Sequence, residues 1–478
     1  MQKQKELGIT VKKDKDFSEW YTQVVQKAEL ADYSPVKGCM IIRPNAYSIW
    51  QAIQDYFNAR LIKLNIRNAY FPLFVPEEFF KKESEHAKGF SPEVAWIANK
   101  DESGQKLAIR PTSETIIYDS YSRWIRSWRD LPYKLNQWAN IVRWETKTTR
   151  LFLRTREFLW QEGHCVYETK EECDKETLII LDEYENLCKE LLAIPVIKGK
   201  KTEKEKFAGA LYTTTMEAFM PDGKSLQCGT SHNLGQGFAK SFNISFIGRD
   251  EKQQIPWQNS WGISTRLIGA LVMIHGDDKG LVLPPNVAYN KVVIVPILFE
   301  KDKNIVLKKA KELSNKLKIF NPILDDRDTY SAGWKFNEWD LKGIPIRIEI
   351  GPKEIKEKQV VLVRRDNNKK EFVKLSKISI KIKELLKEIQ EDMYNKAKKH
   401  LDSSIEYVNN FKSLKQAIEN KKIAAALYCG NSVCEDNIKN KLNGVKAICI
   451  PFTNEQKKGN CINCNKPAFV YAYFAKSY

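Results

Sequence analysis

Two groups of residues have the types and spacing to do chemistry. In NIVRWETKTTRLFLRTREFLWQEGH, Arg143, Arg150, Arg154 and Arg156 are interleaved with Glu145, Glu157 and Glu162. Arginines grouped this way suit phosphate, because a planar guanidinium gives two parallel charge-assisted hydrogen bonds and stays protonated. Arg266 opens a helix-like run just after Trp261-Gly262. Any one of these arginines alone reads as a surface ion pair; together they describe an anion grip. The second group is cysteines. Cys429 and Cys434 are separated by four residues, and Cys461 and Cys464 by two. Each pair can present two thiolates to a tetrahedral zinc ion, and four protein ligands leave no open position, so such a metal is structural rather than catalytic. Cys449 lies in the apolar run AICIPF and is left out, and the other five cysteines read as buried small apolar residues.

The chain has no GxxxxGK[ST] loop, no GxGxxG after a strand, no HExxH pairing among its five histidines and no GxSxG elbow. Those omissions count against the common nucleotide-binding, dehydrogenase and hydrolase folds.

The reactive groups need a scaffold. Residues 17 to 66 read as helices, with Ile49, Ile53, Tyr56, Phe57 and Leu61 near helical spacing. NAYFPLFVPEEFF follows as a short apolar strand punctuated by Pro72 and Pro76. Strand-like pieces QKLAIRPTSE, YKLNQWANIVRWE and EFLWQEGHCVY surround a Trp- and Arg-rich helix over 114 to 128. An amphipathic helix is predicted over about 171 to 192, with Leu178, Leu181, Tyr184, Cys188 and Leu191 on one stripe. TTTMEAFMPDGKSLQCGTSHNLGQGF reads as a polar, Gly-rich segment leading to WGISTRLIGALVMIHGDDKGLVLPP.

Pro284-Pro285 is the best domain boundary. Beyond it, KVVIVPIL, a lysine-rich helix near 302 to 318, SAGWKFNEWDLKG, IPIRIEI and KQVVLVRR form an α/β pattern. Residues 376 to 420 read as strongly helical and charged, followed by the cysteine cluster. The expected organisation is a catalytic unit over 1–285, an α/β unit over 286–400 and a cysteine-bearing domain over 401–478.

The formal net charge of +18 suits a polyanionic partner, because Lys and Arg on phosphates release condensed counterions, although a lysine-rich composition gives the same excess. The local balance is more telling: residues 351 to 400 hold fifteen Lys or Arg against eight Asp or Glu. No stretch approaches the roughly 18 apolar residues of a membrane helix, and MQKQKELGITVKKDKDF lacks the apolar core of a secretory signal. The expectation is a cytoplasmic protein with no membrane partner.

Arg143-Trp144-Glu145 followed by FLRTREF over 152 to 158 resembles motif 2 of the class II aminoacyl-tRNA synthetases. GISTRLIGALVMIHGDDKGLVLPP over 262 to 285 resembles motif 3, with Arg266 as its arginine, and FPLFVPEEF over 71 to 79 is similar to motif 1. RPTSE (110 to 114), REFLWQEGH (156 to 164) and CGTSHNLGQ (228 to 236) narrow the resemblance to prolyl-tRNA synthetases, and further to the branch found in archaea, eukaryotes and some bacteria. The match covers essentially the whole chain in family order.

The resemblance implies an α+β fold: the class II antiparallel sheet with flanking helices, an α/β anticodon-binding domain and a C-terminal zinc-binding domain. It implies activation of L-proline with ATP to prolyl-adenylate and transfer to the 3′ end of tRNA(Pro). Arg143 and Arg266 would be catalytic. Arg143, Glu145, Arg154, Thr155, Gln227, Thr230, Ser264 and Arg266 would hold ATP, with Gln227 also placed to touch Mg2+. Thr112 and Glu114 would take the proline ammonium, Arg143 its carboxylate, and Trp160, His164 and His232 its ring. Zinc would sit on Cys429, Cys434, Cys461 and Cys464, and the terminal Tyr478 fits the same branch. Arg347, Glu349 and Lys353 form an expected edge for reading guanine. Motif 1 implies a homodimer, and the residues between Gln161 and Gly262 are taken up by core segments, so no editing domain is expected.

Three rival readings are less well supported. A paralogue without activity should have lost some of Thr112, Glu114, Arg143 and Arg266. A threonine-specific relative needs a catalytic zinc, for which the core region has no Cys/His constellation. A basic RNA-binding protein leaves the arginine motifs unexplained.

Overall fold

The computed structural model describes residues 8–80, 93–144, 149–452 and 458–478. Helix α1 (Phe17–Lys27) begins where Asp16 accepts a hydrogen bond from the Glu19 N–H at 3.0 Å. Helix α2 (Pro44–Lys63) begins on a proline, whose missing N–H is no loss in a first turn. Its buried stripe is Ile49, Ile53, Phe57 and Leu61, with Tyr56 half-buried at the edge. Motif 1 contributes the three-residue strand Phe74–Pro76, and residues 77–80 follow it as helix. Helix α3 (Glu114–Trp124) stops short of residue 128; a separate 3-10 turn, Trp128–Asp130, follows, started by the Ser127 cap.

Helix α4 (Lys170–Asn186) opens on a capping box, Thr169 with Glu172, and passes into a π turn, Leu187–Leu191. Its buried line runs through Cys173, Thr177, Ile180, Leu181 and Tyr184. Leu178, expected on that stripe, is 44% exposed. It stands about 100° round the helix from Thr177, so centring the stripe on Thr177 turns it outward.

Six strands form the catalytic sheet: β1 (Tyr133–Val142), β2 (Glu157–Tyr167), β3 (Ile197–Lys200), β4 (Tyr212–Phe219), β5 (Lys224–Gly235) and β6 (Trp257–Ser264). They run antiparallel in the order β3-β4-β5-β6-β2-β1. The segment that reads as polar and Gly-rich is thus the β4–β5 hairpin. Gly223 makes its turn at φ +85°, where a Cβ would lie 2.6 Å from the Lys421 Cβ. On the back of the sheet, Phe57 stacks on Tyr184 at 5.0 Å and meets Trp261 edge-on at 6.1 Å. Burying each such aromatic contributes roughly 1.5–3 kcal/mol. Helix α5 (Arg266–His275), almost wholly apolar, packs into the same core.

The second unit is a sheet of β7 (Val292–Pro296), β8 (Ile346–Ile350), β9 (Gln359–Arg364) and β10 (Lys370–Lys374), extended beside β7 by Ile323–Leu324. Helices α6 (Lys303–Lys316), α7 (Ala332–Lys342) and α8 (Ile378–Ser403) complete it. Helix α8 packs Ile382, Leu385 and Ile389 against this unit and, near its end, Leu401 against the next.

The third unit comprises β11 (Ile405–Val408), α9 (Phe411–Glu419), β12 (Ile423–Tyr428), α10 (Ser432–Lys441), β13 (Lys446–Pro451) and β14 (Val470–Ser477). The stretch 376 to 420 is therefore helix, strand and helix. Strand β13 pairs with β3 through Ile450 opposite Lys200 and Pro451 opposite Gly199, which joins the third unit's sheet to the catalytic sheet. The end of β14 also runs parallel to the start of β5, Lys476 opposite Lys224.

Candidate active site

Alternation along β2 puts Trp160, Glu162 and His164 on one face of the sheet. Cross-strand register then aligns His164, Ser260, His232 and Thr213 in one row, and Glu162, Gly262, Thr230 and Thr215 in the next. A cavity of about 230 Å³ opens here, bordered also by Thr112, Glu114, Arg143 and Gln227. Gly262 makes room for the Trp160 ring: a Cβ there would lie 2.6 Å from it.

Beneath the cavity the polar groups hold one another. Glu162 accepts from the Ser113 hydroxyl and from Gln137 Nε2 at 3.0 Å, and its other oxygen meets His164 Nε2 at 3.0 Å. The Tyr118 hydroxyl lies 3.1 Å from His164 Nδ1. Burial opposes charge on His164, but the Glu162 hydrogen bond and the negative charges of Glu114 and Glu162 outweigh it and hold the imidazole above its ordinary value. Burial likewise opposes ionisation of Glu162, and the His164 contact outweighs it and holds the carboxyl below the usual range. Thr112 donates to Glu114, fixing that carboxylate at the cavity edge.

Glu114, Glu162 and His164 offer ligand atoms within 4.8 Å of one another. Glu162 and His164 are already engaged with each other, Ser113, Gln137 and Tyr118, so the trio reads as a hydrogen-bonded floor rather than a metal site.

His232 sits between two hydroxyls, Thr213 on Nδ1 and Thr230 on Nε2, each at 2.9 Å. Burial, with His164 adding to it, pushes its pKa down to about 3, so it is a neutral wall of the cavity. Phe207 lies against it with ring centres 4.9 Å apart.

Toward the other end, three arginines converge. Arg143 Nε donates to the Pro111 carbonyl at 3.2 Å, and its guanidinium lies 5.9 Å from the Trp160 ring centre. Arg266 donates from one guanidinium nitrogen to the Gln227 carbonyl at 3.2 Å, and its backbone N–H donates to the Ser264 hydroxyl at 3.2 Å. Burial first, and then the like charges of Arg143 and Arg154, lower the Arg266 pKa. A group of cations set close enough to repel is a site built for a polyanion. Arg154 is exposed and Thr155 half-buried at the mouth of β2; Glu145 lies outside the described residues.

Thr112, Glu114, Arg143, Trp160, His164, Gln227, Thr230 and His232 thus share one cavity, with Ser264 and Arg266 beside it. The sequence reading grouped Glu162 with the arginines but gave it no role in the site, although its place between Trp160 and His164 on a strand could have found one. It also missed Phe207, Glu205 and Thr213, which border the cavity and carry no motif.

The cysteine sulfurs lie within 4.8 Å of one another, with Cys429 to Cys434 at 3.6 Å and Cys429 to Cys464 at 3.8 Å. A tetrahedral zinc with Zn–S bonds of about 2.3 Å sets its sulfurs roughly 3.8 Å apart, so the four thiols fit that ion.

In the second unit, Arg347 and Glu349 differ from expectation. They are only 8% and 5% exposed, and Arg347 pairs with Glu349 at 3.1 Å and with Asp340. Arg347 reaches from β8 to Asp340 of α7 while Glu349 holds it from the same strand, so they brace the domain; Lys353 alone of the three is exposed.

Comparison with known proteins agrees with this geometry. Residues 96–275 match the tRNA synthetase class II core domain (G, H, P, S and T), residues 291–391 the anticodon binding domain, and residues 411–478 the C-terminal domain of prolyl-tRNA synthetase. The fold is that of a class II aminoacyl-tRNA synthetase, an enzyme. The chain is 50% identical to the proline--tRNA ligase of Alkaliphilus oremlandii, over 97% of this chain and 96% of that protein. It is 49% identical to that of Clostridium botulinum strain Loch Maree, over 97% of each. It is 48% identical to proline--tRNA ligase 2 of Bacillus cereus over the full length of both. The chain belongs to the prolyl-tRNA synthetase family.

Proposed function

We propose that the chain is a proline--tRNA ligase: it activates L-proline with ATP and transfers the prolyl group to the 3′ end of tRNA(Pro). The observation that carries the reading is the cavity in which Glu114 with Thr112, the neutral His232 and Trp160, and Arg143 face one another. Glu114 and Thr112 take the ring ammonium, Trp160 and His232 flank the apolar ring, with His164 beneath, and Arg143 takes the carboxylate. That carboxylate is the nucleophile, so adenylate formation needs no general base. One carboxylate oxygen attacks the α-phosphorus in line and pyrophosphate leaves; Arg143 and Arg266 orient the groups and offset the added negative charge. A hydroxyl of the tRNA 3′ end then attacks the acyl carbon and AMP leaves.

Arg154, Thr155, Gln227, Thr230, Ser264 and Glu145 complete the ATP site. Mg2+, with Gln227 as a contact, neutralises phosphate charge when bound. Zinc on Cys429, Cys434, Cys461 and Cys464 ties β12, α10 and the 461–464 knuckle together and supplies no chemistry to the reaction. The catalytic, anticodon-binding and zinc-binding domains occupy 1–285, 286–400 and 401–478. The enzyme belongs to the archaeal and eukaryotic-type branch, lacks an editing domain, works as a homodimer and resides in the cytoplasm; among the described residues no helix is long and apolar enough to cross a membrane. Pyrophosphate exchange measured with each of the twenty amino acids tests the reading. Exchange dependent on proline above all others is expected, and none with proline refutes it.

A further inference from the structure

The wall of the cavity formed by Glu205 and Phe207 belongs to the turn 201–207 between β3 and β4, and this turn is held from the third unit. Four links cross to it. Lys201 Nζ donates to the Ile448 carbonyl at 2.8 Å, and the Thr202 hydroxyl donates to Glu435 at 3.2 Å. Lys204 pairs with Asp436, and Lys446 with Glu205 at 3.1 Å. Glu435 and Thr202 are 2% and 4% exposed, so their contact is shielded from competing water. The second Glu435 oxygen accepts from the Tyr428 hydroxyl at 3.2 Å, which fixes its rotamer.

Thr202 in turn shapes the wall. Its carbonyl accepts the N–H groups of Glu205 at 3.1 Å and Lys206 at 2.9 Å. The Phe207 N–H then donates to the Thr213 hydroxyl at 2.9 Å, the same hydroxyl that meets His232 Nδ1. A continuous path therefore runs from α10 through Glu435, Thr202, the turn and Phe207 to His232. Phe207, Thr213 and His232, on which the path ends, all border the cavity at its ring end.

We infer that Glu435 is a positioning residue for the amino-acid end of the pocket: through Thr202 it sets the turn that places Phe207 and Glu205. This inference rests on the proline reading above. It predicts a change confined to proline binding, because uniform loss of substrate binding appears in KM rather than kcat.

The test is pyrophosphate exchange on the full-length enzyme and on Glu435→Ala, Glu435→Gln, Thr202→Val and the Thr202→Val/Glu435→Ala double variant. Glu435→Ala is expected to raise KM for proline about tenfold, with kcat and KM for ATP within about twofold, as for loss of one buried hydrogen-bonded partner. Glu435→Gln, which keeps an acceptor for Thr202, should restore proline KM to within about threefold. The double variant should be no worse than the poorer single one, since both cut the same path. Equal rises in KM for ATP and proline, a fall in kcat alone, or additive effects in the double variant would overturn the inference. Should Glu435→Ala not fold, Thr202→Val, which removes only the hydroxyl, decides by the same split. Absence of proline-dependent exchange in the parent enzyme would instead defeat the proline reading.

Discussion

The Thr213 hydroxyl stands 2.9 Å from His232 Nδ1 across the β4–β5 pair, with Thr230 at 2.9 Å on the opposite ring nitrogen. A neutral imidazole has one donor and one acceptor nitrogen, and two hydroxyls can satisfy either tautomer. His232 can therefore stay buried without charge, and under the proposed function the proline ring would meet an uncharged wall while Glu114 would supply counter-charge for its ammonium.

Neutral buried histidines carry a cost in acid. Burial pushes His232 to about 3 and His275 to about 4, against an ordinary value near 6.5. Between those values the unfolded chain binds protons that the folded chain does not, so the stability they contribute is present above pH 6.5 and is lost as pH falls. His275 Nε2 donates to the Leu192 carbonyl at 2.9 Å, a role a glutamine amide can take over. We predict that His275→Gln makes denaturant stability fall less steeply between pH 6.5 and 4 than in the parent. Parallel profiles for the two proteins would count against the assignment.

Arg143→Ala is expected to abolish proline activation while the fold persists. Arg143 is anchored to Pro111 at 3.2 Å and faces both the ring pocket and the Arg266 side, so its loss removes alignment and charge stabilisation together. Removing one such donor costs roughly 10²- to 10³-fold in rate. Exchange within a few-fold of the parent, with an unchanged circular dichroism spectrum, would contradict this.

Metal analysis should return about one zinc per chain, and Cys461→Ser should lower thermal stability, because binding energy at a structural site is folding energy. Cys461 is 3% exposed beside the other three thiols, where a hydroxyl is a poor zinc ligand. An unchanged melting temperature, or protein purified without chelator that holds no metal, would rule out the site.

How far the sequence could be read depended on whether one side chain or a distant partner decides the structure. That Trp160, His164 and Arg143 gather at one cavity with Arg266 beside it was legible, because their types recur in a fixed order along the chain. The β4–β5 hairpin was not: Thr213, Thr215, Thr230 and His232 fill one face with site polarity, so the usual apolar alternation is missing. Arg347 and Glu349 looked like an exposed edge because charge normally marks surface, yet Arg347 pairs with both Glu349 and Asp340 of α7, which lets the group stay in the interior. The join of β13 to β3 depends on residues some 250 positions apart, Gly199 and Pro451, and no local pattern encodes it. Leu178 fell outside its stripe by a single helical step.

A homodimer is expected through the motif 1 region. Tyr70, Phe74 and Trp96 are 71%, 50% and 48% exposed, and obligate interfaces that cover such residues commonly bury more than about 2,000 Å². Light scattering at micromolar concentration should give twice the 55.5 kDa chain mass, and Phe74→Glu should shift it toward monomer. A parent protein that runs as a monomer would refute the dimer.

Fidelity provides the last prediction. Alanine is smaller than proline and cysteine is similar in volume, so a cavity walled by Trp160, Phe207 and His232 cannot reject either on size. Each missing methylene is worth only about 1–3 kcal/mol of discrimination. Enzymes that need more hydrolyse errors at a second site. Between Gln161 and Gly262 run the rest of β2, α4 with its π turn, β3, the turn 201–207, the β4–β5 hairpin, a short helix (Gly237–Ser241), the paired strands Phe246–Ile247 and Gln253–Gln254, and the start of β6, with no stretch long enough for a further domain. The purified enzyme is therefore expected to activate alanine and cysteine measurably and to release the mischarged tRNA intact. The measurement is deacylation of Ala-tRNA bearing the proline anticodon, followed with and without enzyme. Hydrolysis at the spontaneous rate is expected; a rate well above it would reveal an editing site within this chain and overturn the assignment of these segments.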